Sequence, residues 1–381
     1  MFYLAVGTLV LTVLMMIEVW LGCRRIEFLR DLPVPKNAQH LPTLSIIIAA
    51  RNEVAQLENA LRSVMALEYP RREIVVVDDR SEDGTGALLD RMASAHPELK
   101  IIHVAELPPG WMGKNHALQR GAEASTGELL LFTDADVHFE PTAVKRAAHH
   151  LVVQGWDHLT APPVLEMPTF LTRVVSALFV VGFSAYMKPW KAADPKSRYF
   201  IGVGAFNLMR RSVYEAVGGH EPIRLRPDDD LKLGKGIKLA GFRQAVLWGR
   251  SMLSVRWYES LPAMVKGLEK NLFAGTEYRL AIILYGVVAI GLVYLFPVVG
   301  LVGGDGMIRG LCAAQLAVVV LLFAESARYG GGPFWSGLLA PLSAVLYINM
   351  ILNSTLKTLL RGGIEWSGTF YPLAELKKNR C

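Results

Sequence analysis

The stretch Phe2–Cys23 runs for 22 residues with Glu18 as its only charge. A helix needs ~20 apolar residues to cross the hydrocarbon core, so this stretch can span. A signal peptide would show a basic start, a shorter apolar core and a small-residue cleavage site; the start here lacks Lys and Arg, which predicts an uncleaved anchor over 1–23. Arg24, Arg25 and Arg30 follow directly. The positive-inside tendency then puts what comes next in the cytoplasm, at the cell membrane, with the N-terminus outside. Lys266, Lys270 and Arg279 repeat that signal before the next apolar run.

Three more apolar stretches, near 280–302, 307–324 and 334–352, predict two or three spans within 280–356, and a basic tail follows over 357–381. If all three cross, Lys357, Arg361, Lys377, Lys378 and Arg380 end outside, against the positive-inside rule. The last stretch holds Pro341 and Asn349, with Asn353 just beyond, and is the first candidate for a re-entrant or interfacial helix. Met167–Trp190 is apolar but broken by Arg173 and Lys188 and rich in aromatics, which predicts an interfacial helix, with a buried core helix as the alternative. The mean hydropathy of +0.31 excludes a disordered chain and argues against a purely soluble one. A net charge of +6 is too mild for a nucleic-acid binder, but suits an anionic membrane face, phosphorylated ligands or an ordinary solvated surface. Cys23, Cys312 and Cys381 have no metal-like spacing, which excludes a zinc site and a disulfide framework.

Between 41 and 275 short β-branched runs alternate with helical ones, predicting an α/β domain with a parallel sheet covered by helices. Strands are expected at Leu44–Ala50, Glu73–Asp78, Lys100–Val104 and Glu128–Thr133, with helices at Val54–Leu67 and Thr85–Ala95. Ligands of such sheets collect outside the carboxyl ends of the strands, and the acidic residues fall there. Ile46–Asn52 has no glycine, so the Gly-x-Gly-x-x-Gly of a dinucleotide site is missing. Gly113-Lys114 is followed by Asn115 and has no glycine five residues earlier, so a Walker loop fails too.

One strand runs directly into Asp134-Ala135-Asp136. Two carboxylates so spaced at a strand end can share a hard cation, Mg²⁺ or Mn²⁺, which a nucleoside diphosphate leaving group would help to bind. The isolated triplet is common in solvated loops; its place after Leu-Leu-Leu-Phe-Thr points to chemistry. Asp228-Asp229-Asp230 opens a helical run to Gly241. Mutual repulsion there raises a pKa and suits a proton acceptor, while acids at a helix start also simply favour the dipole. His149 and His150 follow a predicted helix without an acidic partner and read as surface residues, and His138 reads as structural. His116 stands near Lys114, within reach of a phosphate, and Gly202–Asn207 reads as a strand where backbone approaches a ligand, or as a plain strand.

The ordered set Ser-Ile-Ile-Ile-Ala-Ala-Arg-Asn-Glu, Val-Val-Asp-Asp-Arg-Ser-Glu-Asp-Gly-Thr, Gly-Lys-Asn-His-Ala-Leu, Asp-Ala-Asp and Asp-Asp-Asp-Leu resembles the family 2 glycosyltransferases over about 42–275. The resemblance implies the GT-A fold, a Rossmann-like mixed sheet with helices on both faces, here with added transmembrane helices. The segment Arg361-Gly362-Gly363-Ile364-Glu365-Trp366-Ser367-Gly368-Thr369-Phe370-Tyr371-Pro372 looks like the branch with hopene-associated and carotenoid-type enzymes and, more distantly, ceramide glucosyltransferases.

Position by position, the resemblance implies that Asp78 and Asp79 lie near the nucleotide, with Asp79 contacting base or ribose. Lys114 would face the nucleotide or its diphosphate, Asp134 and Asp136 would match the metal motif, and in the pair Asp229-Asp230 the second member would be the base. Processive synthases and ceramide enzymes carry Gln or Arg, two residues, then Arg-Trp; Leu253 occupies that place before Arg256-Trp257, which argues against a processive polymerase. The expected activity is inverting, metal-dependent transfer of a sugar from a nucleotide sugar, with UDP as the expected carrier, to the hydroxyl of a membrane lipid. A polyprenyl phosphate or non-lipid acceptor, and a membrane scaffold that has lost catalysis, stay open as alternatives.

Overall fold

In the computed structural model, which describes residues 1–379, the strands β1 Leu44–Ala50, β2 Arg72–Asp79, β3 Leu99–Val104 and β4 Leu129–Asp134 lie where the β-branched runs predict them, within a residue. Cys381 and Arg380, the last charge of the predicted tail, lie outside the described residues. β1 is buried along nearly its whole length, so its two faces need two covers. Ile46 and Ile48 pack with Leu57 and Leu61 of α2 (Leu57–Met65), Leu88 and Leu89 of α3 (Thr85–Ala95), and Leu151 of α5 (Ala143–Gln154). Ile47 points the other way, against Leu118 and Ala122 of α4 (Gly113–Glu123) and Leu233 and Ile237 of α8 (Asp229–Leu239). The period of two along the strand thus fills both helical layers.

The remaining strands are β5 Val137–Phe139, β6 His158–Thr160, β7 Val164–Glu166, β8 Asn207–Arg210, β9 Gln244–Val246 and β10 Leu253–Arg256. The main sheet has the order β3-β2-β1-β4-β8-β6-β9, and β5-β10-β7 form a second, small sheet. β1 pairs in parallel with β2 and β4, whereas β8 runs antiparallel between β4 and β6. The sheet is therefore mixed. β2 and β3 lie on one side of β1 and β4 on the other, so the chain reverses direction at β1 and opens a crevice at the carboxyl ends of β1 and β4.

Three expectations need correction. α2 begins at Leu57 rather than Val54, because the main chain of residues 52–54 turns to meet Ser81, Thr85 and Asp83. Gly202–Phe206 is a loop, and the strand starts at Asn207. The reason is close packing: a Cβ at Gly202 would strike the carbonyl of Asp230, and one at Gly234 the carbonyl of Ile201, so loop and helix α8 touch backbone to backbone. His149 and His150 lie inside α5, not after it.

Among the described residues, five helical stretches are long and apolar enough to cross a membrane: Phe2–Cys23 (α1), Phe170–Lys191, Leu280–Gly303, Gly306–Gly330 (α12) and Phe334–Arg361. The second contains α6 (Phe170–Met187), which precedes α7 (Arg211–Ala216) in the chain; α9 (Leu261–Leu272) follows α8, and α10 (Leu280–Ile290) and α11 (Phe296–Gly303) are joined by a π turn over Gly291–Leu295. The fifth contains α13 (Ala340–Arg361). α1 and α12 run side by side in the same direction, Ala5 packing near Ile308 and Cys312, and Arg24 pairing with Glu325. Glu18, the one charge of α1, accepts from Lys188 and Lys191 at 2.7 Å each. Gln315 donates to the carbonyls of Leu292 and Val293 in the π turn and meets Thr8 and Thr12, so the polar groups freed by the turn find partners inside the bundle.

α13 takes a different course. Its first residues pack with Val319 and Phe323 of α12, Ser343 donates to Val174 of α6, and Lys357 and Arg361 at its far end pair with Glu269 of α9. The chain then folds back onto the α/β domain as a hairpin, β11 (Gly363–Trp366) and β12 (Thr369–Pro372), and a short α14 (Leu373–Lys378). Ile364, Tyr371 and Leu376 share a cluster with Met112, Leu225 and Phe273.

Candidate active site

The crevice at the ends of β1, β2 and β4 collects most of the charged groups singled out in the sequence. Asp134 closes β4, and Ala135-Asp136 form the turn into β5. Lys114, one residue into α4, reaches across with Nζ 2.6 Å from Asp134 Oδ1 and 3.8 Å from Asp229 Oδ1. Burial works against that ammonium, but Asp134, Asp229 and Asp230 outweigh it and hold its pKa above the usual lysine value. Gly204 lets the 201–206 loop approach closely, for a Cβ there would sit 2.9 Å from Asp134 Oδ2 and 3.3 Å from the Lys114 ammonium.

The three consecutive aspartates have different partners. Asp228 is structural: it takes two hydrogen bonds from the fully buried Arg226, each 2.9 Å, and Arg226 also meets Glu277. Asp229, in the first turn of α8, is buried and faces Lys114. Asp230 accepts from the backbone N–H of Gly204 at Oδ2 and of Leu231 at Oδ1, both at 2.7 Å. Burial first, then the neighbouring Asp229, pushes the Asp230 carboxyl up to about 7 from 3.8. The favourable dipole at a helix start and a raised pKa therefore coexist here; burial outweighs the dipole.

Asp79, at the end of β2, is gripped by Arg80 at 2.8 and 3.0 Å, with Arg51 at 3.5 Å, and lies so close to the start of α4 that a Cβ at Gly113 would strike it. Asp78, also buried, turns instead toward the neighbouring strand β3, where His103 Nδ1 lies at 3.0 Å. His116 lies in α4 edge-on to Trp111, its buried Nδ1 without a hydrogen-bond partner, and His138 lies within β5.

Several groups at the crevice were given no site role by the sequence. Glu53, in the loop after β1, is pushed up to about 7 by burial, then by Asp136, Asp134 and Asp83. Tyr258 is pushed up by burial and by Asp136. Lys270 of α9, which the sequence presents as a membrane-flanking charge, is half-buried and lies 3.6 Å from the centre of the Trp366 ring. Burial, then Lys114, pushes it down to about 7 against the pull of Asp229, Asp134 and Glu53. Nothing in the periodicity of α9 distinguishes Lys270 from the exposed Lys266; the helix's tertiary position does.

Asp134 and Asp136, with Glu53 nearby, supply hard carboxylate oxygens. Burial and the proximity of Asp134 push the Asp136 carboxyl up to about 6, a like-charge crowding that a divalent cation would relieve. The donor set fits such an ion, although among the described residues no group of three or more His, Cys, Asp and Glu side chains stands ready to hold one.

Comparison with known proteins identifies the fold and the family. "Probable glycosyltransferase YdaM" of Bacillus subtilis is 28% identical over 237 residues, 58% of this chain; the chain spans about half (54%) of that relative's length. The 4,4'-diaponeurosporenoate glycosyltransferase of Staphylococcus aureus is 24% identical over 348 residues, covering 87% of this chain and 89% of that protein. Among solved structures, a mannosyltransferase from Pyrobaculum calidifontis in complex with GDP-Man and Mn²⁺ superposes with a TM-score of 0.60 at 18% identity, over 94% of this chain and 99% of that one, which establishes the GT-A fold. The profile described as "Glycosyltransferase like family 2" matches residues 42–273, well over half of the sequence and the whole of the α/β domain just described, and the chain belongs to that family.

Proposed function

We propose that this enzyme moves a sugar from a nucleotide sugar to the hydroxyl of a lipid at the cytoplasmic face of the cell membrane, with inversion at the anomeric carbon. The observation that carries the reading is the meeting of Lys114, Asp134 and Asp229 at the crevice, with Asp230 one residue on, beside helices apolar enough for a bilayer. The names of the Staphylococcus and Pyrobaculum proteins, one a carotenoid-acid glycosyltransferase and the other bound to GDP-Man and Mn²⁺, support a lipid acceptor and a nucleotide-sugar donor.

Asp79 binds the nucleoside, with Asp78 behind it, and Lys114 faces the diphosphate. Asp134 and Asp136 would hold Mg²⁺ or Mn²⁺, which would supply positive charge to the departing diphosphate. In a single displacement the acceptor oxygen attacks the anomeric carbon while the bond to the diphosphate breaks, and Asp230 takes the acceptor's proton. A carboxylate raised to about 7 holds that proton well enough to accept it and loses it near neutrality.

The acceptor enters sideways between α6 and the C-terminal helices. Phe179 of α6 meets Trp257 at 4.8 Å, Phe183 at 6.0 Å and Tyr347 of α13 at 6.5 Å, between ring centres, and Tyr258 leads from this aromatic group to Asp136. α1, the α10–α11 pair and α12 cross the bilayer, while α6 and α13 lie in its cytoplasmic half. Both ends of α13 resting toward the α/β domain support this, and it returns the basic tail to the cytoplasm, resolving the conflict between three C-terminal crossings and the positive-inside rule. The test supplies tritiated UDP- and GDP-hexoses with extracted membrane lipid and counts label in the organic phase; label that enters only water-soluble products contradicts the lipid acceptor.

A further inference from the structure

Two aromatic residues of the β11–β12 hairpin reach the crevice from outside the α/β domain. The centre of the Trp366 ring lies 3.6 Å from the Lys270 ammonium, and Tyr371, buried, packs with Met112, the residue that caps α4 two positions before Lys114. Lys270 lies within electrostatic reach of Asp229, Asp134 and Glu53, yet among the described residues no carboxylate lies within ion-pair distance of it; Lys114, by contrast, is already committed to Asp134. An ammonium held on a ring face and turned toward acids that it does not pair with keeps its hydrogen-bond donors free for an anion. α9 carries Lys270 and the hairpin carries Trp366, so the two sides of this contact come from elements on either side of the C-terminal apolar helices.

We propose that the C-terminal hairpin is part of the donor site: Trp366 positions the Lys270 ammonium beside Lys114, and the two lysines together bind the diphosphate of the nucleotide. The inference rests on the nucleotide-sugar reading above and adds to it a binding residue, Lys270, and a positioning residue, Trp366. Lys270 gains from the ring what a carboxylate would otherwise give it, a fixed place in the crevice. Trp366 acts only through Lys270, so a variant that preserves an aromatic face should preserve the effect.

The test titrates detergent-solubilised full-length protein with UDP and GDP, with uridine and guanosine, and with inorganic pyrophosphate, in chelator and in Mn²⁺. Lys270→Gln should weaken the better-bound diphosphate by about tenfold to a hundredfold, the range for losing a hydrogen bond to a charged group. It should weaken pyrophosphate likewise and leave nucleoside affinity unchanged. Trp366→Leu should copy that pattern and Trp366→Phe should restore most of it, each variant melting cooperatively near the wild-type temperature. Unchanged diphosphate affinity in Lys270→Gln, an equal loss for nucleoside and diphosphate, or a Trp366→Phe protein as weak as Trp366→Leu overturns the proposal. Wild-type protein that binds neither diphosphate overturns the donor reading and this inference with it. Wild-type binding with an inert Lys270→Gln overturns the inference alone.

Discussion

Replacing Asp230 with Asn separates chemistry from binding. Both Asp230 oxygens accept a backbone N–H at 2.7 Å, from Gly204 and from Leu231. An amide has one accepting oxygen, so one of these N–H groups loses its partner, at a cost of ~1–3 kcal/mol of stability. Proton transfer is worth ~10²–10⁴ in rate, about 3–5 kcal/mol of barrier. Asp230→Asn should therefore melt a few degrees lower, bind nucleoside diphosphate nearly as well as wild type, and turn over ~10²–10⁴ times more slowly. The pH dependence has a definite sign. A carboxyl raised from 3.8 to about 7 is an active base only above that value, so wild-type turnover should climb through pH about 7 and level off. Because Asp229 is the second cause of the shift, Asp229→Asn should move the rising limb to lower pH. The folded state also binds the Asp230 proton more tightly than the unfolded chain, so this group lowers stability as pH rises from about 4 to about 7, a slope that Asp230→Asn should flatten. Single-turnover transfer, calorimetric binding and thermal melts across pH 5–9 read all three. An active Asp230→Asn protein beside an inactive, donor-binding Asp229→Asn protein would move the base by one residue and refute the assignment.

Other outcomes follow from the same geometry. Asp136→Ala should abolish transfer and remove the Mn²⁺ dependence of nucleotide affinity, while Asp136→Glu keeps part of both; equal affinity with and without Mn²⁺ in wild type would contradict the metal role. The pair Phe179→Asp and Phe183→Asp should depress transfer to lipid and spare donor hydrolysis in detergent; joint loss of transfer, nucleotide affinity and thermal stability would mean that these rings only hold the helices together. Gly234→Ala should destabilise the protein by ~3 kcal/mol or more in a thermal or denaturant melt, since its Cβ would meet the carbonyl of Ile201 rather than a side chain that can rotate away.

The strands and the acidic clusters were legible because their signals are local. A β-branched run ending in Asp-Asp or Asp-Ala-Asp places those carboxylates at the carboxyl end of a strand whatever the rest of the chain does. Thr85–Ala95, opened by Gly84 in the left-handed conformation, matched the expected helix residue for residue. Gly202–Phe206 misled because a run such as Gly-Val-Gly-Ala-Phe is as compatible with a strand as with a loop, and only the approach of α8 to Gly202 decides. The site roles of Lys270, Glu53 and Trp366 were hidden for a similar reason. Their surroundings come from segments far apart in the chain, brought together by α9 and the hairpin, and no spacing within either segment records the partner. The fate of Asp228 was equally hidden, since an acidic triplet does not say which member an arginine two residues earlier will claim.

Whether one site joins a nucleotide sugar to a membrane lipid is answered most directly by product mass. Purified protein in lipid nanodiscs, supplied with Mn²⁺, UDP- and GDP-sugars and total membrane lipid, should yield a glycolipid heavier than its parent by one sugar residue. One nucleoside diphosphate should be released per glycolipid, and Asp230→Asn protein should form neither. Stabilisation by nucleotide and Mn²⁺ with no new glycolipid and no diphosphate release would contradict the claim and leave a protein that binds donor without transferring it.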